Sequence, residues 1–235
     1  MRSLPWFLAP SSPAAFPDPR LADADGLVAY GGDLSVARLL AAYDRGIFPC
    51  FGEESPPLWW SPDPRAILTP SSLHVAKRLT RTLRGGGFRV SWNRTFELVV
   101  DGCAEDRPDP WILPSIRAAY CALHRLGHAH SVEVWSDDAL VGGLYGVQRG
   151  GAFAAESMFH RIPDASKVAM VAAVRGLFRA GIVLFDVQYV TEHLQRMGAF
   201  AIPRADYLER LAAARAIEVD LRALALDPSL DDPPR

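Results

Sequence analysis

The chain has few cysteines, and their positions indicate neither a disulfide framework nor a metal site. Cys50, Cys103 and Cys121 are odd in number, and they follow neither a CxxC pattern nor the spacing of zinc ligands. Long apolar runs are also missing: no window approaches the roughly 18 apolar residues of a membrane span, and residues 1–10 are too short and too rich in proline for a signal peptide. We therefore expect a cytoplasmic protein in a reducing compartment, without a metal and without membrane contact.

An excess of positive charge is absent as well, because 25 Lys and Arg residues face 27 Asp and Glu residues and give a net charge of -2. This balance argues against a protein that is basic over its whole surface, so any contact with nucleic acid must come from a local patch. The length of 235 residues, 49% of them hydrophobic, suits one large domain or two unequal ones, and we expect a monomer.

Positive charge is concentrated in one segment. From Arg65 through Phe96 there are seven Arg or Lys residues and no acidic residue. The pattern predicts a basic helix over 73–84, capped by Ser71 or Ser72. A solvated helix face is one interpretation, but such faces normally mix both signs, and we favour contact with phosphate groups. The candidates on this helix are Lys77, Arg78, Arg81 and Arg84.

The first residues are rich in proline, glycine and aromatic residues, and they predict a small N-terminal domain over 1–62. One helix is predicted from Val36 to Arg45, with Ser35 as its N-cap and Gly46 at its end. The loop that follows is stiff and apolar. It forms either a packed wall between domains or the rim of a binding cleft.

Residues 63–235 are predicted to form a larger domain. Three segments indicate consecutive antiparallel strands, and a helix and a further strand follow them, which predicts a β-helix-β crossover onto one sheet. The segments are Ser131–Trp135, Leu140–Gln148, Ala152–Phe159, the helix Asp164–Ala180 and the strand Ile182–Val190. The predicted fold class is α+β, with a mixed, mainly antiparallel sheet flanked by helices and an acidic tail from about residue 218.

Three polar side chains interrupt these apolar strands. Asp186 and Gln188 lie in the last strand, and Glu156 lies in the strand over 152–159. Because strand side chains alternate between faces, Asp186 and Gln188 are expected on the same face and close enough to hydrogen bond. A buried carboxylate or carboxamide without a partner costs several kcal/mol, so such groups are either satisfied locally or serve a ligand. We take all three as candidate catalytic residues.

The order of three strands, a helix, a strand and a helix is the one expected of the acetyltransferase superfamily, a GNAT-like fold. Those enzymes hold a pyrophosphate on backbone N–H groups of a glycine-rich loop before the helix. The corresponding segment here, Phe159–Lys167, contains no glycine, and its Pro163 has no N–H to donate. The fold therefore favours acyl transfer, while the loop argues against coenzyme A, and we expect no cofactor.

Six motifs resemble those of the leucyl/phenylalanyl-tRNA protein transferase family. They are Gly31–Ser35, Arg45–Pro49, Leu58–Arg65, Gly127–Glu133, Glu156–Phe159 and Ala165–Lys167, in that order. The resemblance runs from about Phe16 to Ile217. It implies transfer of Leu or Phe, with Met as a further candidate, from aminoacyl-tRNA to the α-amino group of proteins that begin with Arg or Lys. The product is thereby marked for degradation by the bacterial N-end rule.

The resemblance and the chemistry together suggest roles for the polar residues. An α-amino group has a pKa of about 7.7 to 8.0, so its attack on an ester needs no strong base near neutral pH. Gln188 is expected to accept a hydrogen bond from the amine, Asp186 to fix the orientation of the Gln188 carboxamide, and Glu156 to contact the aminoacyl-adenosine end. The alternative for Glu156 is a buried partner for an arginine. The basic helix becomes a candidate tRNA-binding element.

Further residues are implicated by family position and by the direction of their side chains. The candidates for an apolar pocket around the donor side chain are Leu144, Phe153, Met158, Met170, Ala173, Leu177 and Phe185. Each of them can equally be an ordinary core residue. The candidates for the cleft rim are Trp59, Trp60, Trp111 and Thr191.

Two positions depart from the family pattern. Cys50 stands where the family usually has Trp, and Thr191 stands where it has Asn, which puts in doubt an aromatic contact and a carboxamide at the rim.

Two other functions stay open: a coenzyme A-dependent N-acetyltransferase, and a non-catalytic module that binds tRNA or a degradation signal.

Overall fold

The N-terminal part of the protein forms a four-stranded sheet with one helix. The computed structural model describes residues 5–10, 12, 14–105, 111–222 and 224–226. The elements of the first part are β1 Trp6–Leu8, a 3-10 helix Pro19–Leu21, β2 Leu27–Gly31, α1 Val36–Tyr43, β3 Phe48–Pro49 and β4 Leu58–Trp60. The strand order is β1-β2-β4-β3. The Ser35 hydroxyl accepts a hydrogen bond from the Arg38 N–H, so the predicted N-cap of α1 is confirmed.

A seven-stranded sheet forms the larger part. Its elements are β5 Arg65–Leu68, α2 Lys77–Arg84, β6 Arg89–Trp92, α3 Phe96–Ala104, α4 Pro114–Arg125, β7 Ala129–Ser136, β8 Ala139–Arg149, β9 Ala152–His160, α5 Ala165–Arg179, β10 Leu184–Gln188, α6 Glu192–Arg196, β11 Phe200–Ile202 and α7 Arg204–Arg215. The strand order is β11-β5-β10-β9-β8-β7-β6, and β9 and β10 are parallel while the other pairs are antiparallel. The predicted α+β fold with a mixed, mainly antiparallel sheet is confirmed, and so is the crossover through α5.

The start of the basic helix was predicted wrongly. Helix α2 begins at Lys77 rather than at Leu73, and neither Ser71 nor Ser72 caps it. The Ser72 hydroxyl instead bonds both the N–H and the carbonyl of Thr69. These bonds hold the segment in a local turn, which competes with helix formation.

Helix α4 begins with a proline. Pro114 occupies its first turn and Leu113 is the N-cap. Proline is favoured at that position because the missing N–H has no partner within the helix in any case.

The two sheets pack around one continuous apolar cluster. This cluster joins Leu39 and Trp59 of the first part to Tyr120 of α4 and Tyr145 of β8. A second cluster fills the space between the large sheet and α5. The last strand of the first sheet ends at Trp60, and the predicted domain boundary at residue 62 remains a prediction.

The beginning of the segment after α7 packs against the large domain and is not a free acidic tail. Leu221 is buried, its carbonyl accepts a hydrogen bond from the Trp92 indole, and the Val219 carbonyl accepts one from the Gln148 amide. The expected tail beyond 226 lies outside the described residues. In the part of the chain that the structure describes, no helix has the length and apolarity to cross a membrane.

Candidate active site

The candidate site lies where two parallel strands separate. Strands β9 and β10 pair only through three residues, from Leu184 opposite Ala152 to Asp186 opposite Ala154. Beyond that point β10 stays paired with β5 alone, and the gap between β9 and β10 opens. Glu156 and Gln188 are the next polar residues on the two strands, so they lie at the mouth of this opening.

The end of β10 is irregular at Gln188. The register against β5 shifts between Asp186 and Gln188, and Gln188 has a φ of 64°. The Tyr189 N–H donates to the Val187 carbonyl at 2.7 Å, which closes a three-residue turn centred on Gln188. A left-handed conformation costs a residue with a side chain roughly 1–2 kcal/mol, and it persists only where surrounding contacts impose it. The Asp186 carboxylate supplies one such contact by accepting the Gln188 N–H at 2.8 Å.

Asp186 is the centre of a buried ion pair with Arg65. The Arg65 guanidinium donates from Nε and Nη2 to the two carboxylate oxygens at 2.8 and 2.6 Å, and both side chains are almost fully buried. The Tyr207 hydroxyl donates to the same carboxylate at 2.8 Å, and Arg65 Nη1 donates to the Gly46 carbonyl. Burial opposes the charge of Arg65, but the attraction of Asp186 outweighs it and holds the arginine pKa above its ordinary value. The pair is therefore charged and internally neutralised.

Glu156 is held by amide and phenol donors. Gln188 Nε2 donates to Glu156 Oε1 at 2.9 Å, and the Tyr120 hydroxyl donates to Oε2 at 3.0 Å. Behind Tyr120, the Tyr43 hydroxyl lies 2.5 Å from the Tyr120 hydroxyl. Burial raises the Glu156 pKa to about 7, and the negative charge of Asp186 also raises it, while hydrogen bonds from the tyrosines and Gln188 act in the opposite direction.

The geometry corrects which carboxylate holds the Gln188 carboxamide. Asp186 bonds the Gln188 backbone, and Glu156 is the carboxylate that holds the Gln188 carboxamide. The expected negative field of Asp186 is compensated by Arg65. The alternative interpretation of Glu156, a partner for a buried arginine, describes Asp186 instead.

Because Glu156 can only accept when ionised, Gln188 bonds it through Nε2 and keeps Oε1 as an acceptor for another group. Gln188 is half-buried, whereas Asp186 is 2% exposed. Of the three candidate residues, Gln188 is thus the most accessible to a substrate.

The predicted pocket residues lie mostly inside the core. Leu144, Met170 and Phe185 are representative, because each is at most 2% exposed within the cluster against α5. The same cluster contains Phe153, Ala173 and Leu177. Met158, on β9 beyond the point of separation, is half-buried. Their assignment as a pocket remains a prediction.

The predicted rim residues fall into two groups. Trp59 is fully buried and donates to the Gly31 carbonyl, so its assignment to an exposed rim is wrong. Trp60 and Trp111 are half-buried, and the Trp60 indole donates to the Cys50 carbonyl. The Thr191 hydroxyl accepts the Leu194 N–H, which makes Thr191 the N-cap of α6.

The four basic candidates for tRNA binding form an exposed surface on α2. Lys77, Arg78, Arg81 and Arg84 are all exposed on α2. Arg65, which was counted with them in the acid-free segment, is buried against Asp186 and takes no part in this surface.

Arg65, Tyr43, Tyr120 and Tyr207 are site residues that the sequence did not reveal. For Arg65 a signal existed, because an arginine that opens the apolar strand Arg65–Leu68 needs a buried acid by the same argument that singled out Asp186. The three tyrosines lie on ordinary apolar helix faces, and nothing in the sequence distinguishes them from core residues. Among the described residues no group of three or more His, Cys, Asp or Glu side chains could hold a metal.

Comparison with known proteins decides the family. The family model for leucyl/phenylalanyl-tRNA protein transferase matches residues 67–212, and the model for the N-terminal domain of that transferase matches residues 32–63. The chain belongs to the leucyl/phenylalanyl-tRNA protein transferase family. Its members are aminoacyltransferases, and this protein is therefore an enzyme of that kind.

Relatives named leucyl/phenylalanyl-tRNA–protein transferase match most of the chain. The one from Anaeromyxobacter sp. (strain K) is 58% identical over 90% of this chain and 92% of its own length. The one from Edwardsiella ictaluri is 50% identical over 86% and 84%.

Two solved structures align with part of this chain at low sequence identity. A GCN5-related N-acetyltransferase from Kribbella flavida has a TM-score of 0.39 at 12% identity and covers 68% of this chain and 58% of its own. L-PGS from Bacillus licheniformis has a TM-score of 0.39 at 14% identity and covers 71% and 56%. Similarity at this level carries no argument about function.

The raised Glu156 pKa predicts a pH-dependent stability. The ionised carboxylate is disfavoured in the folded protein, so this group contributes stability that is present below its unfolded pKa near 4.5 and is lost as the pH rises through about 7. Glu156→Gln removes the effect. Between pH 5 and pH 8 the wild type should lose roughly 2–3 kcal/mol of unfolding free energy relative to the variant, measured by urea denaturation.

Glu209→Gln is the matched control, because Glu209 is exposed on α7. It should track the wild type at every pH. The raised pKa of Glu156 would be contradicted by one result. In that case the wild type and Glu156→Gln would differ in unfolding free energy by the same amount at pH 5 and at pH 8.

Proposed function

We propose that this enzyme transfers Leu or Phe, with Met as a further donor, from aminoacyl-tRNA to the α-amino group of proteins that begin with Arg or Lys. The product carries a new N-terminal residue that marks it for degradation. The observation that carries the proposal is Gln188, a half-buried residue at the mouth of the strand opening whose carboxamide Nε2 donates to Glu156.

The reaction forms one bond and breaks one. The amine nitrogen bonds to the ester carbonyl carbon, the bond from that carbon to the tRNA ribose oxygen breaks, and the proton that the amine gives up goes to that oxygen. Gln188 Oε1 accepts a hydrogen bond from one amine N–H and so aims the nitrogen lone pair at the carbonyl carbon. A carboxamide is not a base, and with an amine pKa of about 7.7 to 8.0 none is required.

The buried network supports this role by fixing Gln188 at both ends. Asp186 holds its backbone N–H and Glu156 holds its side-chain amide. Arg65 compensates the charge of Asp186, and burial raises the pKa of Glu156 to about 7. We retain Glu156 as the contact for the aminoacyl-adenosine end.

The donor side chain is assigned to the apolar residues around β9 and α5. Met158 is the half-buried member of that set and lies beyond the point where β9 leaves β10. Because Leu, Phe and Met are unbranched at Cβ, a pocket can exclude Val and Ile by shape, although one methyl group is worth only about 1–3 kcal/mol. The long, adaptable Met158 side chain suits guests of different length.

Coenzyme A-dependent acetylation is disfavoured by the start of α5. Asp164 is the residue before the helix, it is left-handed with a φ of 70°, and its carboxylate bonds Lys167. A carboxylate beside the helix N-terminus repels an anionic ligand that would bind the N–H groups there. Pro163 removes a further donor.

Replacement of Gln188 should slow chemistry without unfolding the protein. Gln188→Ala removes the hydrogen bond to the amine, and we expect kcat for transfer of labelled Phe from Phe-tRNA to fall by about 10²-fold, with tRNA affinity nearly unchanged. Gln195→Ala, at an exposed glutamine on α6, is the matched control and should keep wild-type kcat. A Gln188→Ala enzyme with full activity would rule out the positioning role. Asp186→Ala is less informative, since it leaves Arg65 buried and unpaired.

The acceptor specificity is tested by the transfer assay itself. With peptides that differ only at the first residue, we expect Arg and Lys acceptors to react and an Ala acceptor to react far more slowly. Equal rates for the three peptides would contradict the acceptor assignment. Transfer of an acetyl group from acetyl-CoA in the absence of tRNA would instead support the acetyltransferase alternative.

The exposed surface of α2 is the proposed tRNA contact. Lys77→Ala combined with Arg81→Ala should weaken tRNA binding and lower the slope of log K against log salt by roughly 0.7–0.9 for each phosphate that the variant no longer neutralises. The control is Arg125→Ala combined with Arg210→Ala, which removes two exposed arginines from α4 and α7. A slope that is the same in both double variants would exclude α2 from the interface.

A further inference from the structure

A cavity separate from the strand opening lies between α2, the first turn of α5 and α6. Its volume is 230 Å³, about eight times the roughly 30 Å³ that a water molecule occupies in the liquid, so a phosphate group fits inside it. The residues that line it include Arg78 of α2, Lys167 of α5, and His193 and Arg196 of α6. None of the three candidate catalytic residues lines it.

The cavity carries more positive than negative charge. Three cationic side chains line it against one carboxylate, that of Asp164. Lys167 Nζ lies 2.8 Å and Arg78 Nε lies 3.6 Å from this carboxylate, so one acid is shared by two cations. Arg196 pairs with Glu192 on the exposed side of α6. The charge left over attracts an anion.

One nitrogen in the cavity lacks a partner among the described residues. His193 Nε2 is buried and has no hydrogen-bond partner. Burial lowers the pKa of His193, and the positive charges of Lys167, His160 and Arg196 lower it further. His74, the other imidazole that lines the cavity, donates its backbone N–H to the Met197 carbonyl just after α6. A phosphate oxygen would give His193 Nε2 the acceptor that it lacks.

We propose that this cavity binds a single phosphate of the tRNA backbone through Arg78, Lys167, His193 and Arg196. The inference rests on the proposed function, in which tRNA is the donor. Arg78 connects the cavity to the exposed cations Lys77, Arg81 and Arg84 of the same helix, so one polyanion can contact both surfaces.

Side chains, rather than the backbone, supply the donors at this site. Pro163 and Asp164 leave the start of α5 poorly suited to the diphosphate of a cofactor. The side-chain cations suit a phosphodiester, which carries one charge and displaces counterions when it binds.

The first test measures the binding of deacylated tRNA, which requires no chemistry and therefore succeeds or fails independently of the transfer reaction. Lys167→Gln combined with Arg196→Gln should weaken binding about tenfold and lower the salt slope by roughly 0.7–0.9. Arg125→Gln combined with Arg210→Gln, which removes the same charge elsewhere, should change neither quantity by as much. Thermal unfolding of both double variants verifies that they fold.

The second test observes His193 directly. The imidazole signal, assigned through His193→Gln, is followed by NMR titration in inorganic phosphate and in chloride at equal ionic strength. Bound phosphate should raise the His193 pKa by about half a unit or more, and the Lys167→Gln, Arg196→Gln variant should lose this response.

Three results would overturn the proposal. One is a folded double variant with wild-type tRNA affinity and salt slope. Another is a rise of the His193 pKa in inorganic phosphate together with an unchanged tRNA affinity of the Lys167→Gln, Arg196→Gln variant. That combination would show that the cavity binds free phosphate and not the tRNA backbone. The third is release of bound tRNA by coenzyme A at lower concentrations than by inorganic phosphate, which would assign the cavity to a cofactor.

Discussion

The buried ion pair between Arg65 and Asp186 is the constraint on which the site depends. Arg65 opens the strand that follows the N-terminal sheet, and it bonds the Gly46 carbonyl of that part of the chain as well as Asp186 on β10. Removal of one partner from such a pair costs about 3–5 kcal/mol, because a buried charge is left uncompensated. The pair therefore fixes the position of β10 relative to the N-terminal sheet. Through the bond from the Gln188 N–H to Asp186, it also holds the left-handed turn at the end of that strand.

A second set of bonds reaches the same residue from the opposite side. Tyr43 comes from α1 and Tyr120 from α4, and their hydroxyls lead to Glu156, which in turn holds the Gln188 carboxamide. Both helices contribute to one apolar cluster. The orientation of the Gln188 carboxamide thus depends on packing between the two sheets. A substitution far from the strand opening can therefore alter this orientation.

The sequence allowed the scaffold to be predicted better than the contacts within it. Alternation of apolar residues located β7, β8 and β9 to within a few residues, and the crossover to β10 followed from the helix between them. Asp186, Gln188 and Glu156 were recognised because each is polar where a strand should be apolar. Their partners were not recognised, because hydrogen bonds such as Tyr120 to Glu156 join residues 36 positions apart and leave no local pattern. The bulge at the end of β10, which turns the Gln188 side chain toward Glu156, was missed for the same reason: regular alternation was assumed where the register shifts.

The charge distribution suits the proposed reaction, in which the acceptor must lose a proton before it attacks. A carboxylate beside an amine favours the ammonium form, raises the amine pKa and lowers the fraction of nucleophile. At the position proposed to meet the amine, this protein has a neutral carboxamide, that of Gln188. The negative charge of each nearby carboxylate is reduced in its effect. Arg65 compensates the charge of Asp186. Burial raises the pKa of Glu156 to about 7, so this carboxyl group is partly protonated at neutral pH. The cations that favour a polyanionic donor are kept on α2 and around the cavity beside α5. A chain with a net charge of -2 can in this way attract tRNA at one surface and still offer the amine an uncharged hydrogen-bond acceptor at another.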